Sequence, residues 1–426
     1  MTERKIRMAK KSHRSIKALL APALALVLCL CSMTTAFAAP GPITGGTELS
    51  PARAVITKAL QMPEGTVTPA ETFTFAFAKK DLDGLSTTTA LADMPVITSK
   101  TAAFAATDTG TTASSVKTVS KETASLFAGV IWPHAGVYTY TVTETAGTTA
   151  GMSYSQASYD ISVYVANGTT SGSLYVAAIG TSIVKTDNGT AGSGKTDPTA
   201  STTISGASSA MMFTNTYIQT PTVVDPTLGD ALSVSKTVAG TYGNQQMYFP
   251  FTVSLTQAMF VPGTPAYKVY VMEGTTVATT AANATISGTD TYGAYINVTA
   301  GTPITINLKH GQRLAFMGLP TGTAYSVTEA AAADYTPSVS VVVNGGSAAV
   351  TNGTLNTALS IGSPTAIIIG ANSNSAAYTN TYKNVTPTGI SLNNLPFIMM
   401  IVLAVGALAA YILVKSRKRT AYDSKH

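Results

Sequence analysis

Alternation of apolar and polar positions runs through most of the chain. FTFAF (73–77), VYTYTV (137–142), YDISVYV (159–165), FTVSL (251–255) and VSVVV (339–343) each place apolar side chains at every second position. That is the period of a half-buried β-strand. Glycine-rich turns separate these runs, and no long stretch of the body has helical periodicity. The pattern predicts an all-β protein made of sandwiches of the immunoglobulin-like kind. A body of about 350 residues is more readily two domains than one. The expected units are 39–217 and 229–383, joined by IQTPTVVDPTL (218–228), where two prolines stiffen a short linker.

Both halves break their own alternation at matching points. Each opens with a strand holding one lysine among apolar neighbours: Ile56, Lys58 and Leu60, then Val234, Lys236 and Val238. An aromatic strand follows, FTFAF or FPFTV. Next comes a strand that ends in glutamate on its apolar face: Tyr138, Tyr140, Val142 and Glu144, later Tyr325, Val327 and Glu329. FTNTY (213–217) and YTNTY (378–382) close the halves, with Asn215 and Asn380 each between two aromatic residues on one face.

An isolated ammonium or carboxylate in a core costs several kcal/mol, so six such residues in matched order point to two constellations. If lysine, glutamate and asparagine meet, desolvation lowers the lysine pKa and raises that of the glutamate. A neutral amine is a competent nucleophile. A protonated glutamate can hydrogen-bond the asparagine carbonyl, polarise it and pass a proton to leaving ammonia. At contact distance the amine and amide react as if at very high concentration, and the product is a Lys–Asn isopeptide bond. An ordinary salt bridge, or an asparagine capping a turn, is the other reading of the same residues.

The ends of the chain change the picture of its charge. Arg4 to Lys17 is basic, Ala18 to Leu30 is apolar, and Ala36-Phe37-Ala38 is a small-residue cleavage site. This is the layout of a signal peptide, 1–38, cut after Ala38. Cys29 and Cys31 follow leucines, where a lipidated cysteine would follow a small residue. Leu395 to Val414 carries no charge and is long enough to cross a bilayer, and KSRKR (415–419) marks its cytoplasmic side. The whole chain is +6, but 39–388 holds 14 basic and 18 acidic residues, a net of −4. Nucleic-acid binding is therefore excluded as a reading of the high pI. Both cysteines leave with the signal peptide, so disulfides cannot stabilise the exported body.

The ordered segments YTVTE and FTNTY, together with the two ends, resemble the backbone pilins of Gram-positive bacteria. LKHGQRLAFMGLPTGTAYSVTE (308–329) also resembles the isopeptide repeats of wall-anchored adhesins. The resemblance implies Lys58–Asn215 and Lys236–Asn380 cross-links, assisted by Glu144 and Glu329. VTPTG (Val385, Thr386, Pro387, Thr388, Gly389) within 384–426 resembles a cell-wall sorting signal, which a sortase cleaves between Thr388 and Gly389. Its opening valine replaces the usual leucine, and a plain membrane-tethered protein is the alternative. The resemblance implies a pilus or fimbrial subunit at the cell surface, joined to neighbouring subunits or to peptidoglycan. Polymerisation needs an acceptor lysine. The Tyr-Pro-Lys context common in such pilins is absent, and Lys185 and Lys195 are the candidates. Without an acceptor, the chain is expected to be a monomeric adhesin or stalk that binds a host protein or glycan.

Other motifs carry less. GTAGSGKT (189–196) matches a phosphate-binding loop, but DPTASTTISGASS follows it in place of a helix. The four histidines are scattered, so no metal site and no cofactor are expected. His134 beside Trp132 reads as turn packing. No constellation for turning over an external substrate stands out, so the chain is expected to act on itself once and not as an enzyme.

Overall fold

The computed structural model describes residues 43, 45–221, 223–278, 284–363, 365–383 and 395–423. The signal peptide with Ala38 and the VTPTG motif lie outside these residues. The described chain is all-β up to Tyr382, apart from a six-residue helix, Thr88–Asp93.

Two large hydrophobic cores form among the described residues, beside a small cluster of Tyr270, Met272, Ala315 and Met317. One gathers buried residues from Ile43 to Phe213, the other from Ala231 to Tyr378. The first lies between a sheet containing Arg53–Pro63, Val116–Glu122 and Ala207–Tyr217 and a second sheet containing Glu71–Leu82, Gly136–Thr145 and Ser158–Asn167. The second core repeats this plan. Leu232–Ala239 and Ser375–Tyr382 belong to one sheet, and Phe249–Thr256 and Ala324–Glu329 to the other. Side chains from both inner faces interdigitate, as in any sandwich.

In each unit the first and last strands lie side by side and parallel. Arg53–Pro63 pairs with Ala207–Tyr217, and Leu232–Ala239 pairs with Ser375–Tyr382. Parallel neighbours cannot be joined by a hairpin, so the rest of the unit is the crossover between them. The pairing therefore brings residues far apart in sequence into contact.

The segment between the units is tied down at both ends. Ile218 N–H donates to the Gly151 carbonyl at 2.9 Å, and the Gln219 carbonyl accepts from Thr321 N–H at 2.9 Å. Further on, Arg313 pairs with Asp230 and also donates to the Pro226 carbonyl at 3.0 Å. Beyond the sandwiches runs the helix Leu395–Asp423, of which Pro396–Arg417 is long and apolar enough to cross a membrane.

Candidate functional site

Strand register builds the same arrangement twice. Across the first parallel pair, Lys58 faces Phe213 and Leu60 faces Asn215. Across the second, Lys236 faces Tyr378 and Val238 faces Asn380. Lysine and asparagine are thus two positions apart in register and share one face, turned into the core. The glutamates come from the opposite sheet. Glu144 pairs with Phe75 and Glu329 with Phe251 at the same relative place.

In the first unit the three side chains are in contact. Lys58 Nζ donates to Glu144 Oε2 at 2.6 Å, and Asn215 Nδ2 donates to Glu144 Oε1 at 2.6 Å. Lys58 and Asn215 are 0% exposed. In the second unit Lys236 Nζ and Asn380 Nδ2 both donate to Glu329 Oε1, at 2.6 and 2.9 Å. Glu329 Oε2 and Asn380 Oδ1 have no hydrogen-bond partner among the described residues.

Aromatic rings wall off both clusters. Phe75 and Phe213 lie 5.0 Å apart, and Phe251 and Tyr378 5.1 Å apart. Lys58 Nζ sits 4.6 Å from the centre of the Phe73 ring, and Lys236 Nζ sits 4.1 Å from that of Phe249. These ring faces and the nearby carboxylates favour an ammonium. Burial outweighs both, and pushes each lysine down to about 8. Burial likewise raises Glu144 and Glu329 above the ordinary carboxylate range, against the pull of their lysines. Both shifts act in the direction that favours the neutral amine and the neutral acid over the charged pair.

The sequence leads one to expect the glutamic acid on the asparagine carbonyl. In the structure Glu144 instead accepts from the amide nitrogen of Asn215 and from the lysine. The carbonyl oxygen of Asn215 accepts from the backbone N–H of Ser155 at 2.7 Å. Ser155 is fixed in turn by Asp187, whose Oδ1 accepts from Ser155 Oγ at 2.5 Å and from Thr214 N–H at 2.9 Å. Neither Ser155 nor Asp187 was legible from the chain. Ser155 lies in a stretch between strands and Asp187 in a turn, and the contact that matters is made by a main-chain N–H, which has no sequence signature.

The remaining candidates lie apart from the clusters. Lys185, at the exposed end of Leu174–Lys185, forms a bridge with Ala191. Lys195 is exposed, bridges Ser182 and lines a cleft of about 110 Å³ with Asp160 and Tyr164. The GTAGSGKT segment runs back along this strand, with Gly192 N–H donating to the Val184 carbonyl and Ile183 N–H to that of Gly194. The element directly after it is the strand Thr199–Ala200 and not a helix, so the phosphate-loop geometry is lacking. His134 packs on Tyr138, whose hydroxyl donates to the His134 carbonyl at 2.8 Å. No group of His, Cys, Asp and Glu able to hold a metal occurs among the described residues.

Comparison with known proteins places this geometry. Residues 54–218 match the family model of the Spy0128-like isopeptide containing domain. Residues 230–382 match that of a domain of unknown function, DUF7601. None of the curated proteins matches. The major pilin from Streptococcus pyogenes aligns at 19% identity and a TM-score of 0.31, over 78% of this chain and 99% of that one. The T-13 major pilin of the same organism aligns at 18% and 0.29, over 81% and 100%. A pilus-presented adhesin, Spy0125 (Cpa), aligns at 18% and 0.24, over 53% and 36%. Structural likenesses this loose add nothing to the family match. That match covers the strands bearing Lys58, Glu144 and Asn215, so the first unit is similar to the Spy0128-like isopeptide containing domain.

Proposed function

We propose that the protein is a structural subunit of a surface pilus or fimbria whose two sandwiches cross-link themselves. The observation that carries this reading is the buried lysine–glutamate–asparagine cluster, built twice in one register between the first and last strand of a unit. In each cluster the lysine amine attacks the asparagine Cγ, the glutamate moves a proton from amine to amide nitrogen, and ammonia leaves. The protein is its own substrate and turns over once, with no cofactor.

Such bonds suit a load-bearing stalk. Tension entering the last strand crosses directly to the first, so it bypasses most of the sandwich. The ends fit the same role: export through the signal peptide, retention by the apolar helix, then sortase transfer of Thr388 to an acceptor amine. Lys185 and Lys195 remain the acceptor candidates, since both are exposed on the first unit.

The deciding measurement is the intact mass of a 39–388 fragment. The expected mass is that of the chain less two ammonia molecules, with one loss restored by Glu144→Ala and the other by Glu329→Ala. A mass equal to the unmodified chain sinks the cross-link.

A further inference from the structure

The two clusters share a register but differ in how they treat the asparagine carbonyl. At the first, Oδ1 receives a backbone N–H at 2.7 Å, and at the second Oδ1 has no partner among the described residues. That oxygen becomes an alkoxide when the amine adds to Cγ, and a preorganised N–H aimed at it stabilises the charge as it develops. We propose that the Ser155 backbone N–H is the oxyanion donor of the first cross-linking site, held in place by Asp187.

The inference rests on the cross-linking reading and adds a residue to it. The Lys58 lone pair forms a bond to Asn215 Cγ, and the carbonyl π electrons move onto Oδ1, which the Ser155 N–H holds. Glu144 takes a proton from Nζ through Oε2 and supplies one to Nδ2 through Oε1. The carbonyl re-forms, the Cγ–Nδ2 bond breaks and ammonia departs, so atoms and charge balance without an external reagent. Ser155 has a main-chain role only. Its hydroxyl is used by Asp187 as an anchor and also accepts from Ala157 N–H at 3.1 Å.

Asp187 is a positioning residue. One carboxylate oxygen takes the Ser155 hydroxyl and the N–H of Thr214, the neighbour of Asn215 in its strand. The main-chain carbonyl of Asp187 also accepts from Gln156 N–H at 2.9 Å. Donor and electrophile are therefore clamped to the same turn. At the second site no comparable main-chain donor reaches Asn380 Oδ1 among the described residues.

The test follows both cross-links in one molecule during cell-free translation, with acid-quenched samples mapped by peptide mass. In the parent the first site is expected to close before the second. Replacing Ser155 by lactic acid, the α-hydroxy analogue of alanine, exchanges the N–H for an ester oxygen. This should slow the first site by about 10²–10³-fold, the usual cost of one oxyanion donor, and leave the second unchanged. Ser155→Ala keeps the N–H but loses the hydroxyl anchor to Asp187, so it should slow the first site far less than the ester does.

An ester chain that resists protease and closes its first site at the parent rate overturns the proposal. So does Ser155→Ala slowing as much as the ester. If the ester chain does not fold, Asp187 decides: Asp187→Ala should slow the first site alone, and Asp187→Asn, which keeps the accepting oxygen, should restore it. An unchanged rate in Asp187→Ala overturns the proposal. Loss of no ammonia at either site in the parent would instead refute the cross-linking reading itself.

Discussion

Lys58 lies across a parallel strand pair from Phe213, two positions short of Asn215, and so reaches the asparagine diagonally on the same face. The offset matters because the side-chain period of a strand is two. A slip of one residue would turn Asn215 to the other face and out of reach of Lys58. Inserting one alanine after Thr214 should therefore abolish the first ammonia loss and keep the second. Peptide mapping of the 39–388 fragment reads both.

Closing the first unit from position 58 to position 215 removes chain entropy from its unfolded state. For a loop of this span, about 157 residues, the entropy model assigns about 5 kcal/mol. Asn215→Ala should lower the unfolding free energy of the first unit by an amount of that order and leave the second transition in place. Urea unfolding followed by tyrosine and tryptophan fluorescence separates them, since Trp132 belongs to the first core.

Without the bond, the buried pair should make stability depend on pH. In Asn215→Ala, Lys58 titrates near 8 when folded and near 10.4 when unfolded. Between these values the unfolded chain binds more protons, so stability rises with pH over that window. Glu144 acts with the opposite sign at lower pH. Its folded pKa is raised, so stability falls as pH climbs above the ordinary carboxylate range. The expected profile dips and then recovers above about 8. A Lys58→Met, Glu144→Gln, Asn215→Ala chain should lack both features when urea midpoints are compared at each pH.

Phe249 stands 4.1 Å from Lys236 Nζ and is fully buried. Phe249→Ala should admit water, raise the lysine pKa and slow the second cross-link. It should also cost about 3–5 kcal/mol as a large-to-small core change. Phe249→Leu should recover most of the stability and much of the rate. Time-resolved peptide mapping and urea unfolding distinguish the two effects.

In cells, the sorting chemistry should be visible as size. Wall extracts boiled in detergent should give a ladder of covalent multimers, and replacing whichever of Lys185 and Lys195 is the acceptor by alanine should collapse it to monomer. A single monomer-sized wall-linked band from the unaltered chain would favour the adhesin stalk.

The all-β architecture was legible because alternation is a local property of strands such as Gly136–Thr145. Lys58, Glu144 and Asn215 stood out because an ionisable or amide side chain on an apolar face contradicts its surroundings. The donor to Asn215 did not stand out. Ser155 and Asp187 lie in connections between strands, where their residue types are ordinary, and only folding brings the Ser155 N–H onto the carbonyl. The glutamate's choice of partner, amide nitrogen over oxygen, likewise depends on side-chain geometry that no pattern of residue types encodes.

Parallel pairing of first and last strands also fixes what cleavage can do. With both cross-links in place, each unit holds a closed covalent ring, 58–215 or 236–380, with a tail at either end. A protease that cuts one exposed turn, for example at Lys195, opens the ring without releasing a fragment. Two cuts in the same ring are needed before any piece can leave. A surface fibre of such rings keeps its full length after a single cut in any ring.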